Sequence, residues 1–202
     1  MNKEGKFYTI LFSFITTFVF VLLLSLLNAS TIQRIQDNER LFKIKAILKA
    51  FGVEYKNDQE ALSNFEKYVK TKRINNVDLY YITSDAQTLY GIVFNGSGLW
   101  SNISGFISTD ENVEKIVGIE FISQAETPGL GGRIEEEWFK NQFRSEKLVN
   151  GTITIQIGGT GDYDHENGKV DAITGATQTS KSLERIINDH LSILRDILGV
   201  RQ

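Results

Sequence analysis

Cysteine is missing from all 202 residues. Its absence excludes disulfides, Cys-ligated iron–sulfur clusters, thiolate zinc sites and a cysteine nucleophile. Histidine is nearly as scarce, with only His165 and His190 in the chain. A His-rich metal centre or a bis-His haem lacks its ligands, and no metal site is expected. Electron transfer by this chain would therefore need an organic cofactor. Proline occurs once, at Pro128. Basic charge is not in excess: 22 Lys and Arg face 25 Asp and Glu, for a net charge of −3. That balance gives no electrostatic footprint for nucleic acid and no polybasic lipid-binding patch. Apolar side chains, by contrast, are plentiful. Hydrophobic residues make up 41% of the chain, with 13 Phe and 7 Tyr, enough for a sizeable core and against global disorder. The length suits one domain plus attachments.

The longest apolar run is "FYTILFSFITTFVFVLLLSLL", 21 uncharged positions from Phe7 to Leu27. A membrane-spanning helix needs about 20 such residues, whereas the apolar core of a cleavable signal holds about 7–15. The small-residue site "NAS" at 28–30 is weak, so an uncleaved signal anchor is expected. Lys3 and Lys6 before the span nearly balance Arg34 and Arg40 after it, and the free amino terminus tips the orientation to N-inside. The expected organisation is a cytoplasmic N-terminus at 1–6, a transmembrane helix at 7–27, a juxtamembrane helix or linker at 28–57, and an extracytoplasmic domain at 58–202. The protein would be single-pass in a membrane.

Periodicity supplies the elements of the domain. Residues 30–52 read as a helix closed by Gly52. Asn57 and Glu60 suggest a capping box for a second helix, with Leu62, Phe65 and Val69 on one face. "DLYYITS" (78–84) and "TLYGIVF" (88–94) read as a hairpin, "NGSG" (95–98) as a turn, and "EKIVGIEFIS" (114–123) and "GTITIQI" (151–157) as strands. "EEEWFKNQF" (135–143) reads as a helix, 158–169 as a loop, and 179–198 as a final amphipathic helix. Strands and helices mix without regular βαβ alternation, so the expected class is α+β, a mixed or antiparallel sheet with flanking helices.

Two loop motifs fail on inspection. "DYDHENG" places Asp162, Asp164 and Glu166 as a calcium loop would, but the glycine and bidentate glutamate positions hold Asn167 and Ile173. Between Gly161 and Gly168 the spacing is wrong for a phosphate-binding P-loop, and Val170 follows Lys169. Three other stretches stand out. "DAITGATQTS" (171–180) sets four hydroxyls around Gly175 and Ala176 just before the last helix. One hydroxyl would suffice for a cap. A small-residue turn at a helix N-terminus also suits an anionic group. "AETPGLGG" (125–132) holds the single proline and three glycines, and reads either as a tight turn or as a rigid loop against a flat ligand, with Leu130 as apolar contact. "GSGLWSNISG" (96–105) offers Trp100, as core or as ligand contact.

Taken together, "GLW", "ETPGLGG" and "VDAITGATQTS", in that order behind one N-terminal span, resemble the covalent-FMN family of bacterial ion-pumping respiratory complexes. Its members are NqrC, from the sodium-pumping NADH:quinone oxidoreductase (Nqr), and RnfG, from the ferredoxin:NAD oxidoreductase (Rnf). "GLWS" followed by "ETPGLGG" looks more like the Nqr member. The compact length looks more like the Rnf member and tilts the reading slightly that way. The resemblance implies an electron-carrying component of an ion-translocating oxidoreductase, with no substrate turnover of its own and no catalytic acid or base. "DAITGAT" matches the family's Asp-x-x-Ser/Thr-Gly-Ala-Thr pattern. It implies FMN joined by a phosphodiester to Thr177, with Thr174, Gly175 and Ala176 beside it and Asp171 read by a flavin transferase. Glu126, Thr127, Gly129, Leu130 and Gly131, with Trp100, are expected near the flavin. Implied partners are the transferase, the membrane, and other integral-membrane subunits, among them a second one with covalent FMN. The competing reading is a single-span extracytoplasmic sensor or interaction domain without cofactor, "TGATQTS" being an ordinary cap. Only six residues precede its apolar run, too few for a cytoplasmic output module.

Overall fold

The computed structural model describes residues 5–84 and 87–200. Most of the N-terminal stretch expected in the cytoplasm, and the joint of the expected hairpin, lie outside the described residues. The chain divides into two compact units, one ending at Arg40 and one starting at Leu41.

The first unit is helical. Helix α1 (Lys6–Ala50) starts in it, and an 18-residue window of α1 has mean hydropathy 2.7 with none of it buried. Among the described residues it is the one helix long and apolar enough to cross a membrane. No break separates the apolar span from the helix expected at 30–52. The sequence offers none, since neither Gly nor Pro occurs between Phe7 and Phe51.

The second unit begins with the end of that helix. Ile44, Ile47, Leu48 and Ala50 are buried, so part of the stretch expected as linker (28–57) builds core. Gly52, at φ 75°, ends α1, and the Val53 N–H bonds the Leu48 carbonyl at 2.8 Å, satisfying the last helical carbonyls. Helix α2 (Asp58–Tyr68) is capped by Asn57, whose side chain accepts the Glu60 N–H at 2.9 Å. Glu60 reaches back to the N–H of Lys56, one residue before the cap, at 2.8 Å, a variant of the expected box. Phe65 and Val69 pack inward with Ala61 as expected, whereas Leu62 is exposed, a correction at that one position.

Five strands form an antiparallel meander in chain order: β1 (Lys70–Ile74), β2 (Val77–Thr83), β3 (Thr88–Ser97), β4 (Asn102–Thr109) and β5 (Ile116–Ser123). The expected hairpin is β2–β3, with Leu79 opposite Ile92. "NGSG" is not a turn. Gly96 and Ser97 continue β3 opposite Ile103 and Asn102, and the reversal falls at 98–101, where the Gly98 N–H bonds the Ser101 carbonyl at 2.8 Å. Gly96 is there for space, since a Cβ would lie 2.5 Å from Ile186 Cγ1.

Both faces of the sheet are covered. Leu79, Ile92, Phe94, Ile103, Ile107 and Ile119 pack in one cluster with Phe139 and Phe143 of α3 (Glu137–Phe143) and Leu183, Ile187, Leu191 and Leu194 of α4 (Thr177–Leu198). The alternate residues Tyr80, Leu89 and Phe106 pack with the end of α1 and Ala61 of α2, as the two-residue period of strands requires. Lys140 of α3 is buried with its Nζ 2.8 Å from Glu120 Oε2 and 2.7 Å from Glu137 Oε1. A short 3-10 turn (Gly131–Glu135) precedes α3. The strand expected at 151–157 shrinks to β6 (Thr154–Gln156), paired in parallel with β7 (Lys169–Asp171). The class is α+β, as expected.

Candidate functional site

Three loops meet at the N-terminus of α4: the 98–101 turn between β3 and β4, the "ETPGLGG" stretch after β5, and the "TGAT" turn after β7. Glu126 is their meeting point, at 4% exposure. Its Oε1 accepts the N–H of Trp100 at 2.9 Å and of Ser101 at 3.1 Å. Its Oε2 accepts the Thr179 hydroxyl at 2.8 Å. Burial pushes this carboxyl up, but the hydrogen bonds from Trp100, Thr179 and Ser101 outweigh it, and the group sits below its ordinary value. Two glycines make the packing possible. A Cβ on Gly98 would lie 2.5 Å from Glu126 Oε1, and one on Gly131 would lie 2.6 Å from Thr179 Oγ1.

The hydroxyls of "TGATQTS" do not cap α4, contrary to the simplest sequence reading. The N-cap is Ala176, and no side chain caps the first turn. Thr179 is spent on Glu126, and Ser180 Oγ accepts the Ile173 N–H at 3.3 Å. The first N–H groups of a helix have no intrahelical acceptor, so this uncapped end points partial positive charge outward. Thr177 opens the helix and is half-buried, Ala176 is buried, and Thr174 and Gly175 are exposed. Gly175 sits at φ 81°, and Leu130 Cδ2 lies 3.1 Å from where its Cβ would be.

Leu130, against Gly175, is 43% exposed, and in the neighbouring 98–101 turn Trp100 is 73% exposed and Leu99 is exposed too. Thr127 and Gly129 are exposed, and the Thr127 carbonyl accepts the N–H of Leu130 at 3.1 Å and of Gly132 at 3.0 Å. The structure thus brings together Trp100, Glu126, Leu130, Gly131 and the Thr174–Thr177 turn. An uncapped helix start beside exposed apolar side chains fits a group with an anionic end and a flat apolar end, such as a flavin mononucleotide.

Asp171 ends β7 and serves a different contact. Its Oδ2 accepts the Gly161 N–H at 2.9 Å, and Gly159 lies against the carboxylate too closely for any side chain. Buried Gln142 holds the same loop, its Oε1 accepting the N–H of Asp162 at 2.7 Å and of Asp171 at 2.8 Å. Glu146 holds the far end of the loop through the N–H of Gly168 at 2.7 Å and of Lys169 at 3.2 Å. Sequence reading missed Thr179 as a partner of Glu126, and missed Gln142 and Glu146 altogether. Gly98 and Gly131 were the available signal for the first. Gln142 and Glu146 lie in an ordinary helical pattern and its exit, with no signal at all.

Residues 98–192 match the family model of the FMN-binding domain, a span that contains all three loops. The NqrC component of the Na(+)-translocating NADH-quinone reductase of Pasteurella multocida is 36% identical over 115 residues, covering 55% of this chain and 44% of that protein. Its counterpart in Vibrio alginolyticus is 31% identical over 130 residues, covering 61% of this chain and 50% of that protein. The chain therefore spans about half the length of the curated relatives it matches. Among solved structures, the NqrC component of the Na(+)-translocating NADH-quinone reductase from Parabacteroides distasonis shares the fold at TM-score 0.68 and 24% identity, over 84% of this chain and 98% of that one. NqrC of Shewanella oneidensis does so at TM-score 0.69 and 16% identity, over 81% and 97%. Residues 98–192 thus match an FMN-binding domain, in a chain similar over about half of their length to the NqrC components named above.

Proposed function

We propose that this chain is an electron-carrying membrane subunit with FMN attached covalently through a phosphodiester to Thr177 Oγ1, in a complex of the Nqr type. The relatives' names favour Nqr over Rnf; the chain's compactness had pointed the other way. The observation that carries the reading is the uncapped α4 start beside the exposed Trp100, Leu130 and Gly175. FMN when bound supplies reversible uptake and release of electrons. The chain's residues do the holding. The first-turn N–H groups would hold the phosphodiester charge, Gly175 would leave room for the ligand, and Leu130 and Trp100 would offer apolar cover. Thr127 and Gly129 border the same seat. Attachment transfers the FMN phosphoryl group from FAD to Thr177 Oγ1, with AMP leaving, and the transferase reads Asp171. A tethered cofactor suits a carrier whose domain lies outside the cytoplasm and meets integral-membrane partners, including a second flavin-bearing one.

The test is intact mass and visible spectrum of the chain matured by a flavin transferase. Added FMN mass and a flavin band that survives denaturation are expected in the wild type and absent from Thr177→Ala. Acid-stable flavin on folded Thr177→Ala refutes the site. Protease digestion of sealed, right-side-out vesicles tests the side of the membrane, with cleavage of the domain expected and full protection contradicting it.

A further inference from the structure

We infer that Glu126 is a positioning residue for the flavin seat and not itself a flavin contact: its buried carboxylate ties the 98–101 turn and the "ETPGLGG" loop to the first turn of α4. The inference rests on the reading of Thr177 as the flavin-bearing residue. Both carboxylate oxygens are committed to protein donors, Oε1 to the Trp100 and Ser101 amides and Oε2 to the Thr179 hydroxyl. Nothing as large as a flavin ring fits beside them, because Gly98 and Gly131 approach so closely that a single Cβ would collide with Glu126 or Thr179. Thr179 is two residues past Thr177, on the same helical turn. Trp100, whose amide is held, carries the most exposed ring of the seat. One carboxylate therefore fixes the attachment point and its apolar cover relative to each other. A carboxylate holding three donors is well suited to this, since hydrogen bonds to a charged group are the stronger kind. Ser101 adds a second tie, its Oγ accepting the Ala125 N–H at 2.8 Å.

The test uses Glu126→Ala, Glu126→Gln, Thr179→Val and Thr179→Ser in the full chain, each with and without flavin transferase. Without flavin, hydrogen exchange of the Trp100 and Ser101 amides is read. Glu126→Ala should speed it at least about tenfold. Glu126→Gln, which keeps an acceptor for the amides and a donor for Thr179, should keep them protected. With flavin, Thr179→Val and Glu126→Ala should shift the flavin midpoint and visible circular dichroism, with Thr179→Ser restoring both. The double variant Glu126→Ala/Thr179→Val should shift them no further than the larger single. Wild-type exchange in folded Glu126→Ala, or a wild-type midpoint in flavin-bearing Thr179→Val, overturns the inference. So does a Glu126→Gln midpoint displaced as far as that of Glu126→Ala while the amides stay protected, because the carboxylate would then act on the flavin directly. If Glu126→Ala does not fold, Thr179→Val against Thr179→Ser decides. Lack of covalent flavin on the wild-type chain would strike the Thr177 reading instead, and amide exchange in flavin-free protein would still judge the tie.

Discussion

Two glycines two residues apart in "ETPGLGG" should respond differently to the same substitution. Gly129 sits at φ 74°, and a Cβ there meets nothing within 4 Å. Gly129→Ala therefore costs only backbone strain, about 1–2 kcal/mol for an L-residue in the left-handed region. Loss of unfolded-chain freedom offsets about 0.4–1 kcal/mol of that, leaving a net loss of about 0–1.6 kcal/mol. Gly131 has no positive φ but no room either: its Cβ would lie 2.6 Å from Thr179 Oγ1, 3.0 Å from Glu126 Cβ and 3.1 Å from Glu126 Oε2. Thr179 can rotate away only by giving up its bond to Glu126. Overpacking of this kind costs about 1–3 kcal/mol, and a hydrogen bond to a charged group about 1.5–3 kcal/mol. Since relief of the first occurs through the second, Gly131→Ala should lose about 2–3 kcal/mol. At roughly 2–4 °C per kcal/mol for a domain of this size, calorimetry should show a drop of a few degrees at most for Gly129→Ala and about 5–10 °C for Gly131→Ala. Amide protection at Trp100 should fall only in the second. A Gly129→Ala loss equal to or above that of Gly131→Ala would refute the steric reasoning.

Other perturbations have equally definite outcomes. Lys140→Met strands the buried Glu120 carboxylate and should cost about 3–5 kcal/mol in denaturant unfolding, with Glu120→Gln in the same chain recovering most of it; additive losses would contradict the pairing. Glu146, buried with the His165 ring 3.4 Å away, has its carboxyl raised by burial against the opposing hydrogen bonds of Gly168 and Lys169 and the nearby imidazole. A raised folded-state value means that its contribution is full below the unfolded value, about 4.3, and is lost as pH rises through the folded value. Glu146→Gln should therefore gain on the wild type in thermal melts at pH 7 and lose that advantage near pH 4; an equal deficit at both pH values refutes this. Glu126 runs the opposite way, its lowered carboxyl contributing above the ordinary range and failing only as pH falls through its folded value. Asp171→Ala should reduce flavin attachment and loosen exchange at the Gly161 amide, and full flavinylation of this variant would count against recognition at Asp171.

What was legible in the sequence had a local cause. The capping pair Asn57 and Glu60, the Gly52 stop, the β2–β3 hairpin and the amphipathic final helix are each set by neighbours in the chain, and each is present. What was not legible depends on distant contacts. β1 reads "KTKRI", a charged edge strand held by β2 and not by burial. β4 contains Asn102, Ser104 and Gly105, poor strand formers placed because Gly105 makes room for the Phe94 ring. "NGSG" has turn composition, yet Gly96 extends β3 because Ile186 fills its side-chain space. At the site, the three motifs were readable as words, but not that Glu126 joins them. The four hydroxyls invited a capping role that Thr179 and Ser180 do not play, since tertiary partners claim them.

The most direct measurement is fragmentation mass spectrometry of the peptide spanning 171–180, taken from chain matured with flavin transferase and FAD. The expected spectrum places one FMN phosphodiester on Thr177, with Thr174, Thr179 and Ser180 unmodified. FMN on Thr179, or on no residue of this peptide while the protein retains covalent flavin, would contradict the account.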